Sequence, residues 1–271
     1  MKYLFDYIDN LKPAISEQPV FLFLDYDGTI SPIARKPQLA VTPKQTRSVL
    51  HELSKIPHCR IAVISGRGLE DIICRVGLKN IIYSGNHGLE IAGPQVRFKS
   101  PVTNKHRETL KNISQALHNR LKPIEGVLIQ DKALSISVHY RLVDPKNVPL
   151  VKKIFCEVTA VNFIREEIRV HLGKKVIEVA PPVNWDKGKA VLWLLHNMSF
   201  SEKSSILPVY IGDDTTDEDA FKILKDSGLT IFVGKSKKSA AQYYVKNTSE
   251  VLAFLRAILD LKLARSPEII K

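Results

Sequence analysis

The sequence predicts an α/β fold with a parallel-sheet core and an inserted α+β domain. Near both ends of the chain, short apolar runs alternate with helical patterns, as in parallel sheets covered on both faces. The middle of the chain instead repeats a helix followed by two paired strands, as in a small antiparallel sheet. Strong turn signals at Gly93-Pro94 and Pro181-Pro182 separate the two patterns.

The core elements alternate along both ends of the chain. Continuous apolar runs predict strands, and the amphipathic stretches between them predict helices. The predicted core strands are 20–24, 60–64, 80–83, 207–211 and 229–233. The predicted core helices are 43–55, 69–76, 187–197, 217–225 and 249–263. We therefore expect one core domain built from residues 1–93 and 181–271.

The inserted domain is predicted over residues 94–180. A strand near Gln95 comes first, followed by a helix over 104–121 and strands over 126–130 and 134–140. A second helix over 148–161 precedes strands over 168–172 and 175–179, which a turn at Gly173 joins. This order indicates an α+β domain with an antiparallel sheet.

Composition places the chain among ordinary globular proteins. Of 271 residues, 44% are hydrophobic and 25% are charged, which argues against a disordered, collagen-like or disulfide-based class. Cys59, Cys74 and Cys156 lie far apart and form no CxxC pair, so neither a disulfide framework nor a zinc cluster is indicated. No run reaches the roughly 18–20 apolar residues of a membrane span. We expect a soluble protein in the reducing cytoplasm.

The net charge of +12 at pH 7 favours an anionic partner. Nucleic acid, an anionic membrane and a small phosphorylated metabolite would each suit this charge. The basic residues are scattered, without interleaved aromatic residues or a nucleic-acid motif, so no nucleic-acid partner is expected. We expect a small-molecule ligand, no membrane partner and a monomeric chain.

Two carboxylates follow the first apolar strand. Asp25 and Asp27 lie where the strand ends, the position at which open α/β sheets bind ligands. A turn beginning at Gly28 can rotate the second carboxylate, so that one serves as nucleophile and the other as proton donor. The alternative is that these aspartates form a turn or cap a helix.

A second acidic cluster, residues 212–219, follows another apolar strand and opens a helix. Its carboxylates repel one another unless a cation offsets their charge. Mg²⁺ suits such a cluster, since it usually takes one or two carboxylates together with phosphate and water. Asp213 and Asp214 are the strongest candidates, because the remaining acidic residues would also stabilise a helix N-terminus without any metal.

Ser65 and Lys187 add two further polar groups at the ends of core elements. The Ser65 hydroxyl and the backbone N–H groups of the next helix suit a phosphate oxygen. The Lys187 ammonium, at the start of a late helix, suits both a carboxylate nucleophile and a phosphoryl group. Each residue alone is also compatible with an ordinary solvated role. The order of Asp pair, Ser, Lys and Asp pair connects them to one site.

With these motifs in this order, the sequence resembles the trehalose-6-phosphate phosphatase family of the haloacid dehalogenase superfamily. The resemblance covers nearly the whole chain, and its further motifs are Gly85–Glu90, Lys132 with Ser137–Arg141, Val176–Val179, Trp185–Gly188 and Gly212–Glu218. It implies a Rossmann-like hydrolase core in which the insertion is a cap. It also implies an Mg²⁺-dependent phosphatase of trehalose biosynthesis that hydrolyses trehalose 6-phosphate, a small sugar phosphate.

The resemblance assigns roles to the core residues. It implies that Asp25 attacks phosphorus to form an aspartyl phosphate, and that Asp27 protonates the leaving sugar oxygen and then activates water. Ser65 and Lys187 are implied to hold the phosphoryl oxygens. The implied Mg²⁺ ligands are Asp25, the backbone carbonyl of Asp27 and Asp213, with Asp214 or Asp217 orienting water.

The resemblance also assigns residues to substrate binding. The implied set is Gly66, Arg67, Asn86, His87 and Glu90 from the core, and Lys132, His139, Arg141 and Glu178 from the cap. Glu178 and Lys132 are the implied partners of the sugar hydroxyls.

Two positions depart from the family pattern. Family members commonly carry an acidic residue two positions before Lys132 and a basic residue two after Glu178, but this chain has Gln130 and Ala180. Either a cap ion pair has been lost or the sugar specificity has changed. The alternative substrate is therefore another glycosyl phosphate, such as sucrose 6-phosphate or mannosyl-3-phosphoglycerate.

Two alternatives lie outside this enzyme class. A phosphorylation-dependent receiver domain also has an acidic pocket, a Ser or Thr and a Lys at successive strand ends. The long insertion between Ser65 and Lys187 argues against this class, because receivers are compact. A catalytically inactive binding module ranks last, because every polar group that the chemistry needs is present.

Overall fold

The computed structural model describes residues 1–198, 206–236 and 238–265. The strands are β1 Lys2–Tyr3, β2 Val20–Asp25, β3 Cys59–Ile64, β4 Ile82–Gly85, β5 Glu90–Gly93, β6 Val96–Lys99, β7 Leu128–Asp131, β8 Ile136–His139, β9 Arg169–Gly173, β10 Val176–Ala180, β11 Leu207–Gly212, β12 Leu229–Val233 and β13 Tyr243–Val245. The α-helices are α1 Ile8–Glu17, α2 Lys44–Leu53, α3 Leu69–Val76, α4 Asn104–Leu121, α5 Val148–Ile164, α6 Lys187–Asn197, α7 Glu218–Leu224 and α8 Thr248–Arg265. Short 3-10 helices cover Leu4–Asp6, Pro37–Leu39, Asn86–Gly88 and Thr215–Asp217.

The chain divides into two compact units. Unit 1 combines Met1–Phe98 with the chain from Asp186 onward, and unit 2 comprises Lys99–Trp185. The predicted seam at Gly93-Pro94 differs from this division, because β6 lies beside β5 in the large sheet of unit 1. Gly93-Pro94 instead lies in the turn that connects β5 to β6 within this sheet, and Gln95 in that turn adopts a φ of 60°. The second division falls after Trp185, five residues beyond the predicted seam at Ala180.

Unit 1 contains a nine-stranded sheet in the order β1-β13-β12-β11-β2-β3-β4-β5-β6. The strands from β1 to β4 in this order pair in parallel, and β5 pairs antiparallel to β4. All six residues of β2 are buried, as expected for a central strand covered on both faces. The predicted α/β class with a parallel core is confirmed.

Helices cover both faces of this sheet because successive strand residues point in opposite directions. Leu22 and Leu24 of β2 pack in one buried cluster with Phe254 of α8. On the other face, the rings of Tyr210 and Phe232 contact Phe221 of α7. The loops at the carboxyl ends of the strands therefore sit on a rigid base.

Unit 2 contains an antiparallel sheet in the order β7-β8-β10-β9. One face packs against α4 and α5, where Leu117 and Phe155 meet Val138 and Ile177 in a buried cluster. Ser137 and Glu178 alternate with these apolar residues and therefore lie on the opposite face. This arrangement is the predicted α+β insertion.

None of the helices in the described part of the chain combines the length and apolar character that crossing a bilayer requires.

Candidate active site

The candidate site lies at the carboxyl ends of three neighbouring strands of unit 1. Asp25 is the last residue of β2, Ser65 follows β3, and Asp213 follows β11. Because these strands are parallel neighbours, the three side chains emerge at the same edge of the sheet. All three residues are buried.

Lys187 joins two carboxylates at this edge. Its ammonium donates hydrogen bonds to Oδ1 of Asp25 and Oδ1 of Asp217, each at 2.7 Å. Lys187 is the first residue of α6, whose N-terminus the Asp186 side chain caps by accepting from the Lys189 N–H at 2.8 Å. The cap fixes the start of the helix and therefore the position of the Lys187 backbone.

Asp217 accepts four hydrogen bonds. Lys187 Nζ and Tyr210 Oη donate to its Oδ1, the latter at 2.8 Å. The backbone N–H groups of Asp213 and Asp214 donate to its Oδ2, both at 2.9 Å. The side chain is fully buried, so these donors replace the water that an ionised carboxylate requires. Asp217 thereby fixes both the ammonium and the loop that carries Asp213.

Burial and charge shift the ionisation of these groups. Burial raises the pKa of Asp25, and the charges of Asp217 and Asp213 raise it further against the opposing effect of Lys187. Burial lowers the pKa of Lys187, but the neighbouring charges of Asp217 and Asp25 outweigh it and the net pKa is raised. Burial also raises the pKa of Tyr210, which therefore stays a neutral donor. Because carboxylates outnumber cations at this site, ionisation of Asp25 is unfavourable unless a further positive charge is present.

The loop after β2 approaches Asp213 closely because residue 28 is glycine. Gly28 adopts a φ of +90°, and a Cβ atom there would lie 2.2 Å from Oδ2 of Asp213. Any other residue would therefore displace the Asp213 carboxylate and strain the backbone at position 28.

The acidic residues suit a hard divalent cation. Asp25, Asp213 and Asp217 each offer a carboxylate oxygen, and these atoms lie within 4.8 Å of one another. Oxygen donors of this kind are those that Mg²⁺ prefers. Because both oxygens of Asp217 already accept hydrogen bonds, Asp25 and Asp213 are better suited to hold the ion. Asp214 is half-buried and caps the following 3-10 helix by accepting from the Thr215 N–H at 2.8 Å.

Arg67 holds Asp27 by a two-point contact. Its Nε donates to Oδ2 of Asp27 at 2.6 Å, and its Nη2 donates to Oδ1 at 2.7 Å. Burial lowers the pKa of Arg67, but its bonds to Asp27 and Asp71 raise it overall, so the guanidinium stays charged. The Arg67 backbone N–H donates to Ser65 Oγ at 3.1 Å. The sequence predicts Arg67 as a substrate ligand, whereas here its guanidinium bonds to protein acceptors.

The connection after β4 braces the Ser65 loop. Asn86 and His87 have φ values of 51° and 56°, a left-handed conformation that is uncommon for such residues. Their backbone N–H groups donate to the carbonyls of Arg67 at 2.7 Å and Ser65 at 2.9 Å. The His87 ring lies against Gly66, where a Cβ atom would come within 2.5 Å of it. The Asn86 amide also donates to Glu90 at 3.1 Å.

Unit 2 brings together two of the residues that were predicted to bind the sugar. Lys132 Nζ and Ser137 Oγ both donate to Oε2 of Glu178 at 2.8 Å. The Lys132 and Glu178 side chains are buried. His139 lies two residues after Ser137 on β8 and so shares its face. Arg141 lies beyond β8, where it donates to the Lys174 carbonyl at 2.9 Å.

The two positions that depart from the family pattern do not pair with each other in this sheet. Gln130 on β7 is opposite Ser137, and Ala180 on β10 is opposite Arg169. Strand β8 lies between β7 and β10. A direct backbone-paired contact between residues 130 and 180 is therefore excluded by the strand order.

Sequence reasoning missed Tyr210, Asp71 and Arg75. Tyr210 could have been noticed as a lone hydroxyl in the apolar strand that precedes Gly212. Asp71 follows Arg67 by four residues and precedes Arg75 by four, the spacing at which helix side chains interact. The structure confirms this spacing as contacts of 2.9 and 2.8 Å.

Comparison with known proteins gives a consistent result. The family model described as trehalose-phosphatase matches residues 23–249. The chain is 34% identical over 266 residues to a probable trehalose-phosphate phosphatase D from Arabidopsis thaliana, covering 94% of this chain and 71% of that protein. It is also 34% identical to trehalose-phosphate phosphatase B from the same organism, with 94% and 70% covered. The C-terminal domain of a C. albicans trehalose-6-phosphate phosphatase superposes with a TM-score of 0.76 at 25% identity, covering 92% of this chain and 96% of that domain.

Proposed function

This chain belongs to the trehalose-phosphatase family and is a phosphoric monoester hydrolase, and from that premise we propose that it hydrolyses trehalose 6-phosphate to trehalose and phosphate. The observation that carries the proposal is the buried Lys187 ammonium between Asp25 and Asp217. Such a cation favours the ionised form of a buried carboxylate, and a nucleophile that attacks phosphorus must be ionised.

In the proposed first step, the free oxygen of the Asp25 carboxylate attacks phosphorus. Lys187 engages Oδ1 of Asp25, which leaves Oδ2 as the attacking atom. The P–O bond to the sugar breaks as the new bond forms. Asp27, protonated on one oxygen while the other still accepts from Arg67, gives its proton to the departing sugar oxygen. An aspartyl phosphate on Asp25 and free trehalose result. The buried cation and the Ser65 hydroxyl offset the charge on the phosphoryl oxygens.

In the proposed second step, Asp27 takes a proton from water as the water oxygen attacks phosphorus. The bond to the Asp25 oxygen breaks, inorganic phosphate leaves, and both aspartates return to their starting states. One residue thus serves as acid and then as base. Asp25, the Asp27 backbone carbonyl and Asp213 would hold Mg²⁺. When bound, the ion supplies positive charge beside the phosphoryl oxygens and the nucleophile.

We assign recognition of the sugar to the polar face of the unit 2 sheet. Glu178 is already oriented by Lys132 and Ser137, so its carboxylate is ready to accept from a sugar hydroxyl without losing rotamer freedom on binding. His139 shares that face. On unit 1, we separately propose Asn86, His87 and Glu90 as residues that contact substrate.

The test is phosphate release from trehalose 6-phosphate, sucrose 6-phosphate, glucose 6-phosphate and mannosyl-3-phosphoglycerate, with and without Mg²⁺. We expect Mg²⁺-dependent release that strongly favours trehalose 6-phosphate and is lost in Asp25→Asn. Preference for another glycosyl phosphate would overturn the substrate while leaving the chemistry in place. Release that persists in Asp25→Asn would overturn the nucleophile.

The covalent step has a test of its own. Acid quenching during turnover of ³²P-labelled substrate should leave label on the protein, and hydroxylamine should release it, as it does from acyl phosphates. Asp25→Asn should carry no label. An unlabelled wild-type protein at every quench time would favour direct attack by water.

A further inference from the structure

Asp27, Arg67, Asp71 and Arg75 form a continuous chain of alternating charges, here called the charge ladder. Arg67 contacts both oxygens of Asp27, and its Nη1 donates to Oδ2 of Asp71 at 2.9 Å. The other oxygen of Asp71 accepts from Nε of Arg75 at 2.8 Å. Asp71 therefore lies between two guanidinium groups and holds both.

The charge ladder also holds the loop that follows β2. Arg67 Nη2 donates to the Pro37 carbonyl at 2.9 Å. Arg75 Nη1 donates to the Ala40 carbonyl at 2.6 Å and to the Gln38 carbonyl at 3.2 Å. Three carbonyls of one short segment are thus bound by two arginines that share Asp71. Movement of this segment and reorientation of Arg67 are mechanically linked.

We propose that Asp71 is a positioning residue that fixes the Asp27 carboxylate through Arg67 and ties it to residues 37–40. An arginine side chain has many rotamers, and a two-point contact orients a carboxylate only if the guanidinium plane is itself held. Asp71 holds that plane through Nη1, the nitrogen that does not bond Asp27. The Arg67 side chain is buried, with 6% of its surface exposed, which limits competition from water at the guanidinium.

Asp71 also lies in the first turn of α3, where any carboxylate stabilises the helix N-terminus. Glu70 lies in the same turn and is exposed. It experiences the same helix dipole without bridging the two arginines. Glu70→Gln is therefore a matched control for Asp71→Asn, because each change removes one charge and keeps the side-chain size.

The experiment compares two substrates that differ in their need for a proton donor. The sugar oxygen of trehalose 6-phosphate leaves as a poor leaving group, whereas p-nitrophenyl phosphate releases a stabilised phenolate that needs no proton. This comparison rests on the proposed role of Asp27 as the acid. Asp71→Asn should lower kcat on trehalose 6-phosphate by about 10-fold, with KM little changed. This is less than the roughly 10²–10⁴-fold that a general acid contributes, because Asp27 itself is retained. The decrease in kcat on p-nitrophenyl phosphate should be much smaller. Glu70→Gln should leave kcat on both substrates unchanged.

A second readout does not depend on the substrate. The N–H groups of Leu39 and Ala40 are bonded within the segment that the ladder holds. Hydrogen exchange at these two amides should be faster in Asp71→Asn and in Arg75→Gln than in wild type, and unchanged in Glu70→Gln.

The outcomes separate this inference from the proposed function. Equal loss of activity on both substrates, or unchanged exchange at residues 39 and 40, would overturn the positioning role. If the wild-type protein hydrolyses p-nitrophenyl phosphate and a different sugar phosphate but not trehalose 6-phosphate, the substrate assignment fails. The positioning role of Asp71 is then tested by comparing the effect of Asp71→Asn on that sugar phosphate with its effect on p-nitrophenyl phosphate. Circular dichroism of each variant identifies a loss of fold.

Discussion

The Lys187 ammonium lies 2.7 Å from the Asp25 carboxylate, although 162 positions separate the two residues in the sequence. Both side chains are almost completely buried. A buried ion pair of this kind contributes little to stability compared with an apolar pair, but breaking it leaves an uncompensated charge. In the proposed mechanism, the pair orients Asp25 and favours its ionised form.

Lys187→Met should destabilise the protein strongly, because Asp25 and Asp217 would then face each other without a cation. We expect the free energy of unfolding to fall by about 3–5 kcal/mol in denaturant titrations, and activity to be lost. Lys189→Met, in the same helix turn, is the control. Its ammonium lies 3.5 Å from Asp186 and its side chain is 36% exposed, so an effect below about 1 kcal/mol is expected. Similar losses in both variants would contradict a special role for residue 187.

Tyr210→Phe should reduce activity, because it removes a hydroxyl that helps to hold Asp217. The bond joins a neutral donor to a buried carboxylate, so about 1.5–3 kcal/mol of stability should be lost. We expect kcat to fall while KM for the sugar phosphate stays constant. Tyr83→Phe is a matched control, since that hydroxyl donates to the Leu78 carbonyl at 2.7 Å. It should lower stability without lowering kcat. Equal kcat effects would assign Tyr210 to packing alone.

Mg²⁺ should stabilise the wild-type protein against heat, because the ion offsets the repulsion among Asp25, Asp213 and Asp217. At 100-fold excess over its Kd, the ion should add about 2.7 kcal/mol. Asp213→Asn should respond far less, and without metal it should be at least as stable as wild type, since one of the repelling charges is gone. Asp226→Asn, at an exposed position, should keep the full response. A thermal shift that is equal in all three proteins would indicate non-specific ion binding.

Glu178→Gln tests the proposed sugar site separately from the chemistry. Loss of a charged acceptor should raise KM for trehalose 6-phosphate by about 10-fold. This factor corresponds to the free energy of one hydrogen bond to a charged group. Kinetics on p-nitrophenyl phosphate should be unchanged, because that substrate has no sugar. Glu125→Gln, at an exposed position of unit 2, is the control. A parallel loss on both substrates would show that Glu178 acts through the fold of unit 2.

The reactivity of Cys59, the first residue of β3, should show whether this strand is buried. Burial raises the pKa of Cys59 to about 12, whereas Cys74 and Cys156 are exposed. Because the folded pKa lies above the unfolded value, ionisation of this thiol opposes folding only at alkaline pH. Titration with a thiol reagent at pH 8 should detect two groups in the native protein and three after unfolding. A third fast-reacting thiol in the native state would contradict the buried position.

The sequence was sufficient for the parts of the fold and site that follow from strand order. Helix α4 has the predicted bounds, and Asp25, Ser65 and Asp213 lie at one edge of the sheet because parallel strands end there together. The short strands β1 and β13 were not predicted, since two or three residues carry no periodic pattern. The predicted helix over 217–225 begins instead with a 3-10 helix at Thr215–Asp217, because Asp214 and Asp217 cap that turn.

The contacts that sequence could not supply depend on side-chain direction. Tyr210 reaches Asp217 and Arg67 reaches Asp27 only because the loops after the strands turn back over the sheet edge. Spacing along the chain does not specify such turns. The roles of the site residues and of the unit 2 face stay predictions until the experiments above are done.

The strand order also has a consequence for synthesis on the ribosome. Strand β2 pairs with β3 on one side, but its other neighbour, β11, begins only at Leu207. At about 5–20 residues per second, roughly ten to thirty seconds pass between the two strands. Until β11 emerges, the nascent chain presents an apolar strand with one open edge, a surface prone to wrong pairing. A chain released before that point would carry Asp25 without Lys187 or Asp217 positioned around it, so the proposed active site would not be assembled.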